Sequence, residues 1–437
     1  MTVAEMFSEF IANLAVKNTD TISNRYGELT AALNKQFRDT DSKTDNTLQV
    51  GSFGRKTGIN GISDLDMLYI MPKRSLNDYN KTGGQLELLR DAKAAILARY
   101  PTTKIRVDRL VVTVTYQDFH VEVQPVFEQD DQSYLYPDTK NGGSWKVTKP
   151  REEMSAVASM DDAKNSNLRR LCKMGRAWKN KHGVAMGGLL LDTLAYNFLN
   201  ATTEYDDKSY LYYDFLSRDF FKYLSGLSEQ KEYAAPGSRQ RVKVRKRFQG
   251  KAKRAYELCL EAIAADAQAN VNDKWKRVYG RPFPANQTQL LRSMAEDAAG
   301  WTNTEEFIED MFPIDIRHDL KIECEVMQNG FRKFLLSDLL ARRIPLKAKK
   351  SLHFFVEKIS IDEPRTIYWK VLNRGEAAQS RNCIRGQIVE DAGRLQKSEH
   401  TDFRGDHVVE CYCVKDGIVV AKDRIHVPIV PDGSDYD

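Results

Sequence analysis

The chain has 437 residues, 41% of them hydrophobic and 29% charged, with a net charge of +5. That length suits about three domains with sizeable cores, and the balance argues against a disordered low-complexity chain. No apolar run reaches the ~18 residues of a spanning helix, the opening MTVAEMFSEFIANLAVKN lacks the basic start of a secretory leader, and six cysteines are too few for a disulfide framework, so a cytoplasmic protein with no membrane partner is the expectation.

Ile22, Tyr26, Leu29, Leu33 and Phe37 recur at helical spacing, and the polar DTDSKTDN closes that helix. LQVGSFGRKTGINGISDLDMLYIMP follows, glycine-rich at first and strand-like at its end. GGQLELLRDAKAAILARY reads as a helix, and RLVVTVTY and FHVEVQPVF as antiparallel strands joined at Gln117-Asp118. Residues 1–150 are therefore expected to form a mixed α/β lobe that includes the N-terminal helix. Residues 151–344 turn helical, with helices at NSNLRRLCKMGRAWKNKHG, GGLLLDTLAYNFLN, GKAKRAYELCLEAIAADAQAN and TQLLRSMAEDAAG and a loop at KEYAAPGSRQ. Residues 345–430 turn to strands around an Asp416-Gly417 hairpin signal and predict a small all-β sandwich. The tail 431–437 is predicted to be disordered. The fold class is α+β.

Asp64 and Asp66 open the strand DLDMLYIM. A period of two puts both carboxylates on one face and Leu65 on the other. Two carboxylates this close repel unless a cation lies between them, and all-oxygen ligands suit Mg²⁺ or Mn²⁺. Glu122 stands between Val121 and Val123 in another strand and becomes a third ligand if the two strands are neighbours. Alone, these carboxylates read more simply as solvated charges on an exposed face. Ahead of them, Gly51-Ser52-Phe53-Gly54 offers small residues and a hydroxyl that can approach phosphate oxygens. Cys411 and Cys413 lack a second ligand pair at zinc spacing.

GSFGRKTGINGISDLDMLYIMP resembles the GS…DxD signature of polymerase-β-like nucleotidyltransferases, and among them the bacterial cGAS/DncV-like enzymes. Glu122-Val123-Gln124-Pro125 resembles the family's third acidic position, with Glu where Asp is common. LRRLCKMGRAWKNKHG is similar to the family's basic helix; Arg169, Lys173 and Arg176 share one face of it. Gly187-Gly188 stands where relatives often carry a phosphate-holding serine. GGSWKVTKP and KEYAAPGSRQRV are family-like too. SRQRVKVRKRFQGKAKR, with nine basic residues in seventeen, is either a solvated surface or a groove for an acidic partner or RNA. The terminal region resembles the adenylyl/guanylyl and SMODS C-terminal sensor domain. Its Arg374-Gly375, Arg385-Gly386 and Arg404-Gly405 turns are either plain hairpin turns or phosphate contacts.

The resemblance implies a polymerase-β-like lobe, a helical lobe closing a nucleotide cleft, and a β-rich sensor domain. It implies two Mg²⁺ or Mn²⁺ ions held by Asp64, Asp66 and Glu122. Gly51 and Ser52 would hold the β- and γ-phosphates of a nucleoside triphosphate, and Lys173 and Arg176 would clamp them. The implied product is a cyclic oligonucleotide second messenger, cyclic GMP-AMP from ATP and GTP, acting on a separate effector in anti-phage defence. A regulatory ligand would bind the C-terminal domain; nucleic acid is a possible but not a required partner. A linear 2′-5′ product, nucleotide transfer to RNA or protein, and a catalytically silent sensing module are the other readings.

Overall fold

The computed structural model describes residues 1–61, 63–286, 305–327, 333–347, 349–361, 365–373, 386–401 and 405–430. The helix expected over 288–300, the Arg374, Arg385 and Arg404 side chains and the tail 431–437 lie outside the described residues. The architecture is α+β, and the chain divides into two compact units: Met1–Trp178 with Gly187–Pro284, and Lys179–Met186 with Ala285–Asp437. No described helix is long and apolar enough to cross a membrane.

The first unit is built on seven strands: β1 (Thr47–Gln49), β2 (Asp64–Ile70), β3 (Lys104–Val107), β4 (Val112–Thr115), β5 (His120–Glu128), β6 (Tyr134–Asp138) and β7 (Ser144–Thr148). Their order is β1-β2-β5-β4-β3, with β6 on β5 and β7 on β6. β2 and β5 run parallel, and β4 and β5 antiparallel. Leu65, Met67, Val121 and Val123 are fully buried in one core with Leu29, Leu33, Leu88 and Leu89 of helices α2 (Thr19–Arg38) and α5 (Gly84–Arg99). Each such side chain contributes about 1.5–3 kcal/mol when buried. A one-residue slip of β2 would put its carboxylates into that core, so the apolar alternation fixes the face on which they stand.

The other helices of this unit are α1 (Val3–Asn13), the one-turn α3 (Gly51–Gly54) and α4 (Leu76–Tyr79), α6 (Pro150–Ala163), α7 (Asn167–His182), α8 (Gly188–Asn200), α9 (Tyr213–Gly226), α10 (Gln249–Ala264) and α11 (Val271–Tyr279). A Thr2–Glu5 capping box starts α1. Its Phe7 ring meets Trp275 at 5.0 Å and Phe283 at 5.3 Å, so α1 packs with the helices and not with the sheet. The stretch expected to be a loop at KEYAAPGSRQ begins instead with β8 (Glu232–Ala234), which pairs with β9 (Arg241–Lys243) across the Pro236-Gly237 bend. All nine basic residues between 239 and 254 are exposed.

The second unit has two sheets. One has the order β11-β10-β13-β16, the other β12-β18-β17-β14-β15. The strands are β10 (Leu320–Met327), β11 (Phe334–Leu335), β12 (Leu346–Lys347), β13 (Ser351–Ile359), β14 (Thr366–Leu372), β15 (Ile388–Glu390), β16 (Gln396–His400), β17 (Gly405–Lys415) and β18 (Ile418–Val430). Ile322, Cys324, Leu352 and Phe354 from one sheet share a core with Ile367, Trp369, Cys411 and Cys413 from the other. Asp416 and Gly417 take positive φ, 51° and 78°, as a two-residue hairpin turn requires. β10 lies ahead of residue 345, where the sequence reading starts its β-rich domain, and pairs along its length with β13.

Candidate active site

The parallel register sets Asp66 directly beside Glu122 and Asp64 beside His120. All three carboxyl residues are half-buried on the face of the sheet opposite the apolar core. The β1–β2 pairing continues into Val50, whose N–H donates to the Asp66 carbonyl at 3.1 Å, and Tyr26 donates its hydroxyl to the same carbonyl. Burial, then the Asp66 charge, pushes the Tyr26 phenol well up, so it stays a donor.

Gly51 comes next, and its identity follows from the site. Its φ is +64°, and a Cβ there would stand 1.7 Å from an Asp66 carboxylate oxygen. The glycine loop and the carboxylates are thus in contact. Behind Gly51, Thr57 and Gly58 donate their backbone N–H groups to the Ser52 carbonyl at 2.9 and 3.1 Å. The half-buried Ser52 hydroxyl has no partner among the described residues.

The expected basic stripe divides into different roles. Lys173 is half-buried and makes no hydrogen bond or ion pair among the described residues. Burial, reinforced by Arg169, Arg170 and Arg176 and opposed by Asp161, lowers its pKa. Arg169 is tied to Asp161 at 3.1 Å and donates to the Arg55 carbonyl at 3.1 Å. Arg176 is the other residue expected to clamp the triphosphate. It is 6% exposed and bidentate to Asp192, and it reaches the carbonyls of Cys172 and Gly188. A guanidinium so engaged and so buried serves packing.

Asp192 is the centre of a network that the sequence reading did not single out. Besides Arg176, it accepts from Arg55 Nε at 3.1 Å and from the Thr57 hydroxyl at 2.8 Å. Arg55 also stands 3.5 Å from Glu153, which accepts from Ser238. Burial would raise the Asp192 pKa, but Arg176 and Arg55 outweigh it and hold the carboxyl well below its ordinary value. One carboxylate on α8 therefore binds α7 to the end of the glycine loop. The sign available in the sequence is a lone acidic residue in the apolar run GGLLLDTLAYNFLN.

The donor set of Asp64, Asp66 and Glu122 is all oxygen, which suits Mg²⁺ or Mn²⁺. Among the described residues no three His, Cys, Asp or Glu side chains converge in metal-holding geometry. Asp64 and Glu122 stand half-buried on paired parallel strands, two register positions apart.

Residues 1–160 match the Second Messenger Oligonucleotide or Dinucleotide Synthetase (SMODS) domain. Residues 302–430 match the Adenylyl/Guanylyl and SMODS C-terminal sensor domain. The chain thus carries one match to a synthetase domain and one to a sensor domain. Among solved structures it is similar to apo DncV of Vibrio cholerae, with 15% identity over 55% of this chain and 69% of that one, at a TM-score of 0.45. It is similar to E. coli MS115-1 CdnC in a CdnC:HORMA-deltaN complex, with 14% identity over 64% and 98% at 0.47. It is also similar to Bradyrhizobium diazoefficiens CdnG in complex with GTP, with 11% identity over 67% and 99% at 0.48. At scores this low the SMODS and sensor-domain matches alone carry weight. No curated protein matches the chain.

Proposed function

We propose that this protein condenses nucleoside triphosphates into a cyclic oligonucleotide second messenger, with Asp64, Asp66 and Glu122 as its metal-holding carboxylates. The observation that supports this best is the contact of Gly51 with Asp66, which joins a phosphate-sized loop to the acidic strand. When bound there, divalent cations neutralise triphosphate charge and lower the pKa of the acceptor ribose hydroxyl. Asp64, Asp66 and Glu122 supply the oxygens that orient this charge. Gly51 and the unpartnered Ser52 hydroxyl receive the β- and γ-phosphates. Lys173 offers them a half-buried cation with no hydrogen bond or ion pair among the described residues, and Arg176 keeps its helix in place through Asp192.

ATP and GTP are the proposed substrates and cyclic GMP-AMP the proposed product, made in anti-phage defence for a separate effector. The test is incubation with ATP, GTP and Mg²⁺, then phosphatase and mass spectrometry. A cyclic product survives phosphatase with no terminal phosphate to lose. A linear 2′-5′ oligonucleotide loses its terminal phosphates and replaces the proposed reading. No nucleotide product under any pairing of triphosphates makes the chain a sensing module.

A further inference from the structure

The second unit carries a group of charges that the proposed chemistry leaves unused. On β14, β17 and β18, Lys370 stands opposite Glu410 and Glu410 opposite Arg424; the adjacent row is Tyr368, Tyr412 and Lys422. The strand period puts these six side chains on one face, while Trp369 and Cys411 enter the core behind. Lys179–Met186, which clusters with this unit, brings the end of α7 onto that face. A Cβ added at Gly183 would stand 2.5 Å from the Lys422 carbonyl oxygen and 3.2 Å from its Cγ. Lys181, two residues earlier, is near enough that its charge and that of Lys422 act on each other.

The neighbouring carboxylates are engaged elsewhere. Lys370 takes Glu305 at 3.0 Å and Glu410 at 3.9 Å, and Glu410 also accepts from the Tyr412 hydroxyl at 2.6 Å. Glu410, besides these partners, and the exposed Glu309 both act on the two lysines, from beyond ion-pair distance. Lys181 and Lys422, both half-buried, make no hydrogen bond and no ion pair among the described residues. Burial first, then the charge of Lys422, lowers Lys181 to about 8. Burial also lowers Lys422. Two desolvated cations side by side are unfavourable. A phosphate dianion removes both penalties, because it has oxygens enough to accept from two ammonium groups at once.

We propose that Lys181 and Lys422, with the exposed Arg424 beside them, bind a phosphate group in the sensor-domain unit, carried by inorganic phosphate or by a nucleotide. The site belongs to the second unit and the carboxylates to the first, and its occupancy is measured without turnover.

The test is calorimetry on the full chain without Mg²⁺, using inorganic phosphate in one arm and AMP in the other. Saturable binding is expected, weakened at least ~10-fold by Lys181→Met and by Lys422→Met and unchanged by substitution of the exposed Lys104 in Lys104→Ala. Tighter binding of AMP assigns the phosphate to a nucleotide, and equal binding assigns it to the free anion. In the wild type, binding takes up protons near pH 8, because the anion restores the lowered lysine pKa values; the heat then varies with the buffer's ionisation enthalpy. Without ligand, either lysine variant should melt no lower than the wild type, since each removes an unpaired charge. The proposal is overturned by absent saturation, by binding that both lysine variants retain, by loss of binding in Lys104→Ala, or by lysine variants that melt lower because Glu309 or Glu410 already pairs with these side chains.

Discussion

At the residue scale, three side chains separate chemistry from scaffolding. Glu122→Gln keeps size and hydrogen bonding but removes one of three proposed metal-site charges. A loss of ~10²-fold or more in turnover is expected, since such a charge is worth several kcal/mol in the transition state; steady-state kinetics measures it, and Glu122→Asp should keep part of the activity. Gly51→Ala should also abolish synthesis. The left-handed backbone costs a non-glycine residue about 1–2 kcal/mol, and the new methyl would displace the Asp66 carboxylate. The protein should still fold, as circular dichroism would show. Asp192→Asn acts differently. It leaves Arg176 and Arg55 buried beside a neutral group, which should cost about 3–5 kcal/mol. Because the fold lowers the Asp192 pKa, its stabilisation is present above the ordinary aspartate value of 3.8 and fades as pH falls below it. The melting-temperature gap between wild type and Asp192→Asn should therefore be constant near neutrality and shrink below pH 3.8.

At the element scale, α7 carries both kinds of basic residue on one face. Lys173→Ala should raise the apparent nucleotide KM by about 10- to 100-fold, the equivalent of ~1.5–3 kcal/mol for a charge-assisted contact, with no loss of melting temperature. Arg176→Ala should lower the melting temperature sharply, because it strands Asp192. If both variants bind nucleotide normally, α7 is a structural helix throughout. The sequence could place all three residues on one face by spacing. It could not tell them apart, because the partner of Arg176 is sixteen residues further on, and that carboxylate also accepts from Arg55, 137 residues away. The β2–β5 pair was easier to read. Its apolar alternation is strong on both strands, so spacing alone puts Asp64 and Asp66 on one face; Glu122 joins them only through the β2–β5 register, which spacing does not give.

At the scale of the whole molecule, the limits of the sequence were set by charge patterns. Lys321, Glu323 and Glu325 alternate with apolar residues in LKIECEVM, and so polar a segment was grouped with the preceding helices. Its Ile322, Cys324 and Val326 are nevertheless core residues of the second unit. A chain ending at residue 344 should therefore aggregate, since it keeps β10 without β13. A chain ending at residue 286 leaves no such edge and should elute with less aggregate in size-exclusion chromatography. Helix α1, which the spacing analysis does not single out, shows the same limit, because its Phe7 and Phe10 find their partners near residue 280. The central claim is that the paired strands form a metal-dependent nucleotidyl-transfer site. The most direct measurement is pyrophosphate release from ATP and GTP with Mg²⁺ by wild type and by Asp66→Asn. Release by the wild type that falls at least ~10²-fold in the variant, with an unchanged melting temperature, is the predicted result. Release that stays within a few-fold of wild type in Asp66→Asn would contradict it.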